Sequence, residues 1–289
     1  MYVLSVVCSE WRNGIKIGEA VRDLQYSSLV CRFDLPPTLE NFKEFNVFDF
    51  DQERCIDIVA TLYESVLRIK FKNPKWELRD RFILSKGHAA TALYVALQHK
   101  KFINEKDLKS YTKKKSLLEE HPSPKLQGVE AATGSLGHGL PIGCGISLSA
   151  KIKKKFFMTY VLMSDGECNE GSVWEAALFA PAKKLNNLCV FVDYNKWQAT
   201  GKSKEILNLH PLKEKFKAFG WNTLEINGHD HKAIFKACII AKKQSKKPTM
   251  VIANTIKGKG ISFMENNNNW HYRIPTMSEV NKAKKELKL

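Results

Sequence analysis

Four short apolar runs constrain this chain more than any other feature. They are FMTYVLM (157–163), LCVFVDY (188–194), NTLEI (222–226) and TMVIANTI (249–256), rich in β-branched or aromatic residues. Apolar runs of this length, without strict alternation, fit strands buried on both faces. Helix-patterned segments lie between them: 170–180, ending near Pro181; 211–220, stopped by Gly220; and 230–244, with Ile234, Ala237, Cys238 and Ala241 on one face. Strand and helix in alternation predict βαβ units: an α/β fold with an open, mostly parallel sheet and helices on both faces. Upstream, 55–70 carries Ile58, Val59, Leu62 and Val66 at helical spacing, and 88–101 is a further helix candidate. At the tail, Thr276 and Glu279 form a capping box for a helix over 277–288.

At 289 residues and 44% hydrophobic content, the chain can bury one large core or two small ones. It has no run of eighteen apolar residues, so no membrane span is expected, and its opening lacks the basic region of a signal peptide. Seven scattered cysteines without CxxC spacing suit a reducing cytoplasm. The net charge of +16 resides mostly in lysine runs such as 112–116 and 151–155, not interleaved with aromatics. That pattern reads as a solvated lysine surface, or one facing an acidic partner chain, and argues against nucleic acid.

The chemistry gathers around Ser164-Asp165-Gly166. Ligands of open parallel sheets sit at the carboxyl ends of strands, where helix N-termini present free N–H groups. Asp165 ends one strand candidate and Asn195 the next, one strand–helix–strand unit later. A carboxylate and an amide oxygen at adjacent strand ends are hard ligands for Mg²⁺ or Ca²⁺, with phosphate oxygens completing the shell. Each piece alone reads as well as a turn or a loop. The stretch 133–154 opens with five glycines in thirteen residues, which calls for a reason such as close backbone approach.

Ser-Asp-Gly, twenty-eight residues, then Asn resembles the thiamine diphosphate motif. Together with RDRFILSKGHAATALY (79–94), GVEAATGSLGHGLPIG (128–143), SDGECNEGSVWEAALFA (164–180), VDYNKWQATG (192–201) and KGKGISFMENNNNWH (257–271), the chain resembles the N-terminal subunit of a split transketolase, from about residue 55 to 289. The resemblance implies a thiamine diphosphate-binding fold. It implies transfer of a two-carbon ketol unit from a ketose or its phosphate to an aldose. Asp165, Asn195 and the Trp197 carbonyl would hold Mg²⁺, with Ca²⁺ or Mn²⁺ as substitutes. Gly166 would lie on the diphosphate, Asp193 and Ala199 beside the cofactor, and Gly134 and Leu136 along its wall. His88, His121 and His271 would act near the reactive carbon and the sugar, since imidazole exchanges protons with hydroxyls near neutral pH. His138 would play a supporting part, and Glu170 would belong to a relay between two cofactor sites. Lys257 and Lys259 read equally as phosphate contacts or as basic loop residues.

The resemblance also implies a partner. The family's glutamate for the aminopyrimidine belongs to a pyrimidine-binding domain, so a separate C-terminal transketolase subunit, joined in an α₂β₂ assembly, is expected. Residues 1–54 form an atypical leader ahead of a domain at 55–289: the family carries a histidine motif where this chain has VFDFDQ, with Phe48 in its place. A shifted reading frame before codon 55 accounts for the abrupt break; a chain with an altered substrate side is the competing account. A cofactor-binding but catalytically impaired subunit, and a deoxyxylulose-phosphate synthase-like enzyme, are the alternatives on function.

Overall fold

The computed structural model describes residues 55–271, 273 and 275–287, and the backbone of two short paired strands, Val30–Cys31 and Phe45–Asn46. Phe48, and with it the question of the missing histidine, lies outside the described residues, as do the side chains of Cys8 and Cys31.

Five strands form one sheet: β1 (Arg81–Leu84), β2 (Thr159–Ser164), β3 (Leu188–Tyr194), β4 (Asn222–Asn227) and β5 (Thr249–Asn254). Their order is β1-β2-β3-β5-β4, and every neighbouring pair is parallel. The four expected strands are all present, but β4 lies at the sheet edge and is partly exposed rather than buried on both faces. β1 is additional to them. Its apolar run, 82–84, is only three residues long and is flanked by Arg79, Asp80, Arg81 and Lys86, so the charges disguise it. Asp80 is buried there and takes hydrogen bonds from the Arg68 guanidinium and the Met158 amide.

The main helices are α1 (Ile56–Thr61, continued by a wider turn over Leu62–Val66), α2 (Ala90–His99), α3 (Gly139–Ile152), α4 (Gly171–Ala182), α5 (Leu212–Ala218), α6 (His231–Lys242) and α7 (Met277–Glu286). Successive strand residues feed opposite faces. Tyr160, Leu162, Cys189 and Phe191 pack with α1, α2 and α6, whereas Val161, Met163, Val190 and Val192 pack with α3, α4 and α5. Both faces of the sheet are therefore covered, as continuous apolar strands require. The capping box at α7 forms as expected, with Thr276 Oγ1 accepting from Glu279 N–H and the Glu279 carboxylate accepting from Thr276 N–H.

Because α3, α4 and α6 each lead back into a parallel strand, their N-termini lie at the carboxyl end of the sheet. Among the described residues no helix is long and apolar enough to cross a membrane. Cys55, Cys144, Cys168, Cys189 and Cys238 are buried and form no disulfide among the described residues.

Candidate functional site

β2 and β3 are neighbours, with Ser164 opposite Asp193, so the residues following them meet at one edge. Asp165 is fully buried there. Its Oδ1 accepts from Gly166 N–H at 3.0 Å, and its Oδ2 accepts from Lys196 N–H at 3.1 Å and Ser203 Oγ at 2.8 Å. Burial pushes the Asp165 carboxyl up to about 6, the Ser203 bond opposing and the nearby Asp193 charge assisting. Asn195, also buried, accepts from Trp197 N–H through Oδ1 at 2.9 Å. The turn that carries it places Lys196 at φ 69°, a conformation usually left to glycine. Trp197–Gln198 then pairs with Gly201–Lys202 as a small hairpin.

Asp193 lies under this turn. Its Oδ2 takes a 2.6 Å bond from Lys86 Nζ and faces Asn195 Nδ2 at 3.5 Å, while Oδ1 accepts from Thr255 Oγ1. Both partners of the Lys86–Asp193 pair are buried. The Asp193 carboxylate thus orients Asn195 and is held by its own neighbours. Lys86 precedes His88, so the pair also ties the end of β1 to the end of β3.

The histidines converge. The His88 and His271 rings are 6.3 Å apart between centroids. His121 lies against Gly134, where an added Cβ would fall 2.7 Å from the imidazole Cδ2. Gly134 in turn touches Gly87: a Cβ on Gly87 would meet Gly134 N at 2.6 Å. The glycine-rich stretch therefore opens as a loop wedged between β1 and His121 before α3 begins. Leu136 is exposed on that loop, and His138 is exposed with its Nδ1 3.0 Å from its own loop's Leu136 carbonyl. Lys257 is buried with Nζ 3.3 Å from Asn268 Oδ1 and 3.5 Å from His271 Nδ1, whereas Lys259 is half exposed beside Glu265. Asn268 also donates to the Ala199 carbonyl, which joins the Ala199 loop to the His271 segment.

Two acids lie beyond Asp165. Glu170 is exposed at the N-cap of α4. Glu167, which sequence reasoning passed over, is fully buried, and burial raises its carboxyl against the hydrogen bonds it receives. The partners of its side chain, Ser85 and Gly137, come from distant parts of the chain, so no local sequence pattern signals its burial.

The donor set fits a hard cation with a diphosphate. Asp165 Oδ1 and Asn195 Oδ1 each accept one protein bond and keep a lone pair. Among the described residues, a Cβ on Gly166 would meet only the flexible Gln198 side chain, at 3.4 Å, and the buried Gln198 Nε2 has no hydrogen-bond partner.

A family model described as "Transketolase, thiamine diphosphate binding domain" matches residues 54–289. The chain belongs to the transketolase family. It is 39% identical over 233 residues to one subunit of the apulose-4-phosphate transketolase of Phocaeicola vulgatus, covering 81% of this chain and 83% of that one. It is 38% identical over 245 residues to the 6-deoxy-6-sulfo-D-fructose transketolase subunit SqwG of a Clostridium species, covering 84% and 88%. Among solved structures it is similar to the Campylobacter jejuni transketolase, with TM-score 0.71 and 28% identity over 83% of this chain and 46% of that one. Similarity to the Pichia stipitis transketolase complex with a sedoheptulose phosphate gives TM-score 0.74 and 27% identity, over 83% and 40%. The two relatives that are themselves transketolase subunits are thus matched over most of their length, whereas this chain spans less than half of those solved transketolase chains. The family is one of transferases, and its fold, a mostly parallel α/β sheet that binds thiamine diphosphate, is the fold of this chain.

Proposed function

We propose that this chain is the N-terminal, cofactor-binding subunit of a two-chain transketolase, with the family's thiamine diphosphate-binding domain at 55–289. The enzyme moves a two-carbon ketol unit from a ketose to an aldose in cytoplasmic carbohydrate metabolism. The observation that carries the reading is the buried Asp165–Asn195 pair at adjacent strand ends, with His88, His121 and His271 at the same edge.

Asp165, Asn195 and the Trp197 carbonyl hold Mg²⁺, for which Ca²⁺ or Mn²⁺ can substitute. Gly166 leaves room for the diphosphate against the backbone. Thiamine diphosphate, when bound, supplies the carbon nucleophile that this fold lacks. The chain's own residues bind and orient. Gly134 and Leu136 form a wall, Asp193 steadies Asn195, and Ala199 offers an apolar surface beside the ring. His88, His121 and His271 donate to or accept from sugar hydroxyls. Lys257 adds positive charge beside His271. Glu170, exposed at the head of α4, faces a neighbouring subunit.

A partner with a pyrimidine-binding domain completes the site in an α₂β₂ assembly, consistent with relatives named as subunits. The test is to assay the purified chain with thiamine diphosphate, Mg²⁺ and a ketose donor, alone and with the partner. Turnover is expected only in the mixture; robust turnover by the chain alone overturns the two-chain reading.

A further inference from the structure

The buried Glu167 carboxylate is where three segments of the site meet. Its Oε1 accepts from Ser85 Oγ at 2.5 Å and from Gly137 N–H at 3.0 Å. Its Oε2 accepts from Ser164 N–H at 2.8 Å. Ser85 follows β1 and lies three residues before His88. Gly137 belongs to the loop that carries Gly134 and Leu136. Ser164 ends β2 and precedes Asp165. One carboxylate thus ties the His88 segment, the glycine wall and the metal-ligand turn.

The surrounding packing makes this junction tight. Gly137 has φ 78°, and its carbonyl accepts from Ser172 Oγ of α4 at 3.0 Å, so the peptide is held from both sides. A Cβ on Gly139 would fall 2.3 Å from Ser85 Cβ. The loop therefore lies directly on the end of β1, and its only backbone-to-side-chain anchor among the Glu167 bonds is the Gly137 amide.

We propose that Glu167 is a positioning residue: it fixes the glycine wall against the metal-ligand turn and the His88 segment, so that the thiamine diphosphate site is formed before the cofactor arrives. The proposal rests on the cofactor reading given above. It requires a carboxylate, since two backbone N–H groups address opposite oxygens. Glutamine fills the same space but offers one acceptor. In either orientation its NH₂ opposes the Gly137 or the Ser164 amide, and one of them is stranded.

The experiment compares wild type, E167Q and S85A as full chains. Thiamine diphosphate with Mg²⁺ is titrated calorimetrically, with and without the partner chain, and amide exchange is followed in the cofactor-free chain. E167Q is expected to raise the cofactor Kd about 10- to 100-fold, the range seen when groups supporting metal ligands are removed. Exchange should accelerate at Gly137 and its loop while the cores of β2 and β3 stay protected. S85A keeps the carboxylate and both backbone bonds, so it should give a smaller shift of the same kind, and it serves as the test if E167Q does not fold. An unchanged Kd in the folded variants overturns the proposal, as does a raised Kd with Gly137 exchange unaltered. If wild type fails to bind thiamine diphosphate even with its partner, the cofactor reading falls and the proposal falls with it.

Discussion

The two ends of the five-stranded sheet are built from opposite materials. At the carboxyl end, Asp165, Glu167 and Asp193 are buried with Lys86 among them, and every carboxylate oxygen is addressed by a fixed donor. At the amino end, where α3, α4 and α6 finish, the chain places exposed lysines: Lys153 and Lys154, Lys183 and Lys184, Lys242 and Lys243. Both follow from one topology. Parallel strands with crossover helices put all helix N-termini at one edge and all C-termini at the other, so acids suit the first and bases the second. The difference lies in solvent. Charges at the carboxyl end act in a dry site and are coupled; those at the amino end are hydrated and nearly independent. Substitutions should therefore have large, specific effects at one end and small, additive ones at the other.

The largest effect is expected at Asp165. Asp165→Ala removes the one charged side-chain ligand of the proposed metal, which supplies several kcal/mol of charge stabilisation. Activity of the assembled enzyme should fall about a thousandfold or more, with cofactor binding lost in a calorimetric titration. Lys153→Ala should change neither. Comparable losses from both substitutions would erase the contrast.

Next comes Lys86. Lys86→Met leaves the buried Asp193 carboxylate without its cation, and breaking one side of a buried pair costs about 3–5 kcal/mol. Urea denaturation reads the loss. The double variant K86M/D193N should recover much of it, because the stranded charge rather than the missing bond carries the cost.

Burial of Asp165 gives a pH signature with a definite sign. Its carboxyl rises from 3.8 to about 6 in the folded, metal-free chain. Between those values the folded state holds a proton that the unfolded chain has released. Stability is then greatest below about pH 4 on account of this group, and falls as pH rises toward 6, by roughly 3 kcal/mol at about 1.4 kcal/mol per unit. Mg²⁺ with thiamine diphosphate should offset that loss above pH 6. Thermal melts across pH 4–8, with and without the pair, check it; a metal-free melting point that rises steadily through this window on removing all other carboxylate contributions, for example by comparison with D165N, would contradict the assignment.

Much of this contrast was legible in the residues. The apolar runs identified β2, β3 and β5 because each is long enough to reveal burial on both faces, β4 was recognised despite being a half-exposed edge strand, and Asp165 and Asn195 followed from their strand ends. β1 was not legible, since its three apolar residues sit among charges whose pairings, such as Arg68 with Asp80, are not adjacent in sequence. Glu167 was missed for a similar reason: its partners Ser85 and Gly137 are 82 and 30 residues away. Asp193 was expected beside the cofactor, and only the fold shows its oxygens engaged by Lys86 and Thr255. The lysine runs read as solvated surface, but their backbone role was hidden.

That role yields the smallest prediction. After α3, Lys154 N–H bonds to the Lys151 carbonyl at 3.1 Å and Lys155 N–H to Ala150 at 2.8 Å. After α4, Lys184 N–H bonds to Pro181 at 2.8 Å and Leu185 N–H to Ala180 at 3.0 Å. Both are Schellman closures, and both set a lysine in the left-handed region, at φ 52° and 51°, where glycine is the usual occupant. A side chain costs about 1–2 kcal/mol in that conformation, partly offset because glycine loses more freedom on folding. Lys154→Gly and Lys184→Gly should each stabilise the chain by about 0.5–1 kcal/mol in chemical denaturation. Lys151 touches both sites, through its carbonyl to Lys154 N–H and through Nζ to the Lys184 carbonyl, but both are bonds to backbone atoms that glycine keeps, so the two gains should add and activity should be unchanged. If either substitution destabilises, the lysine charge at the helix C-terminus outweighs backbone strain, and the amino end is more strongly coupled to its charges than the comparison allows.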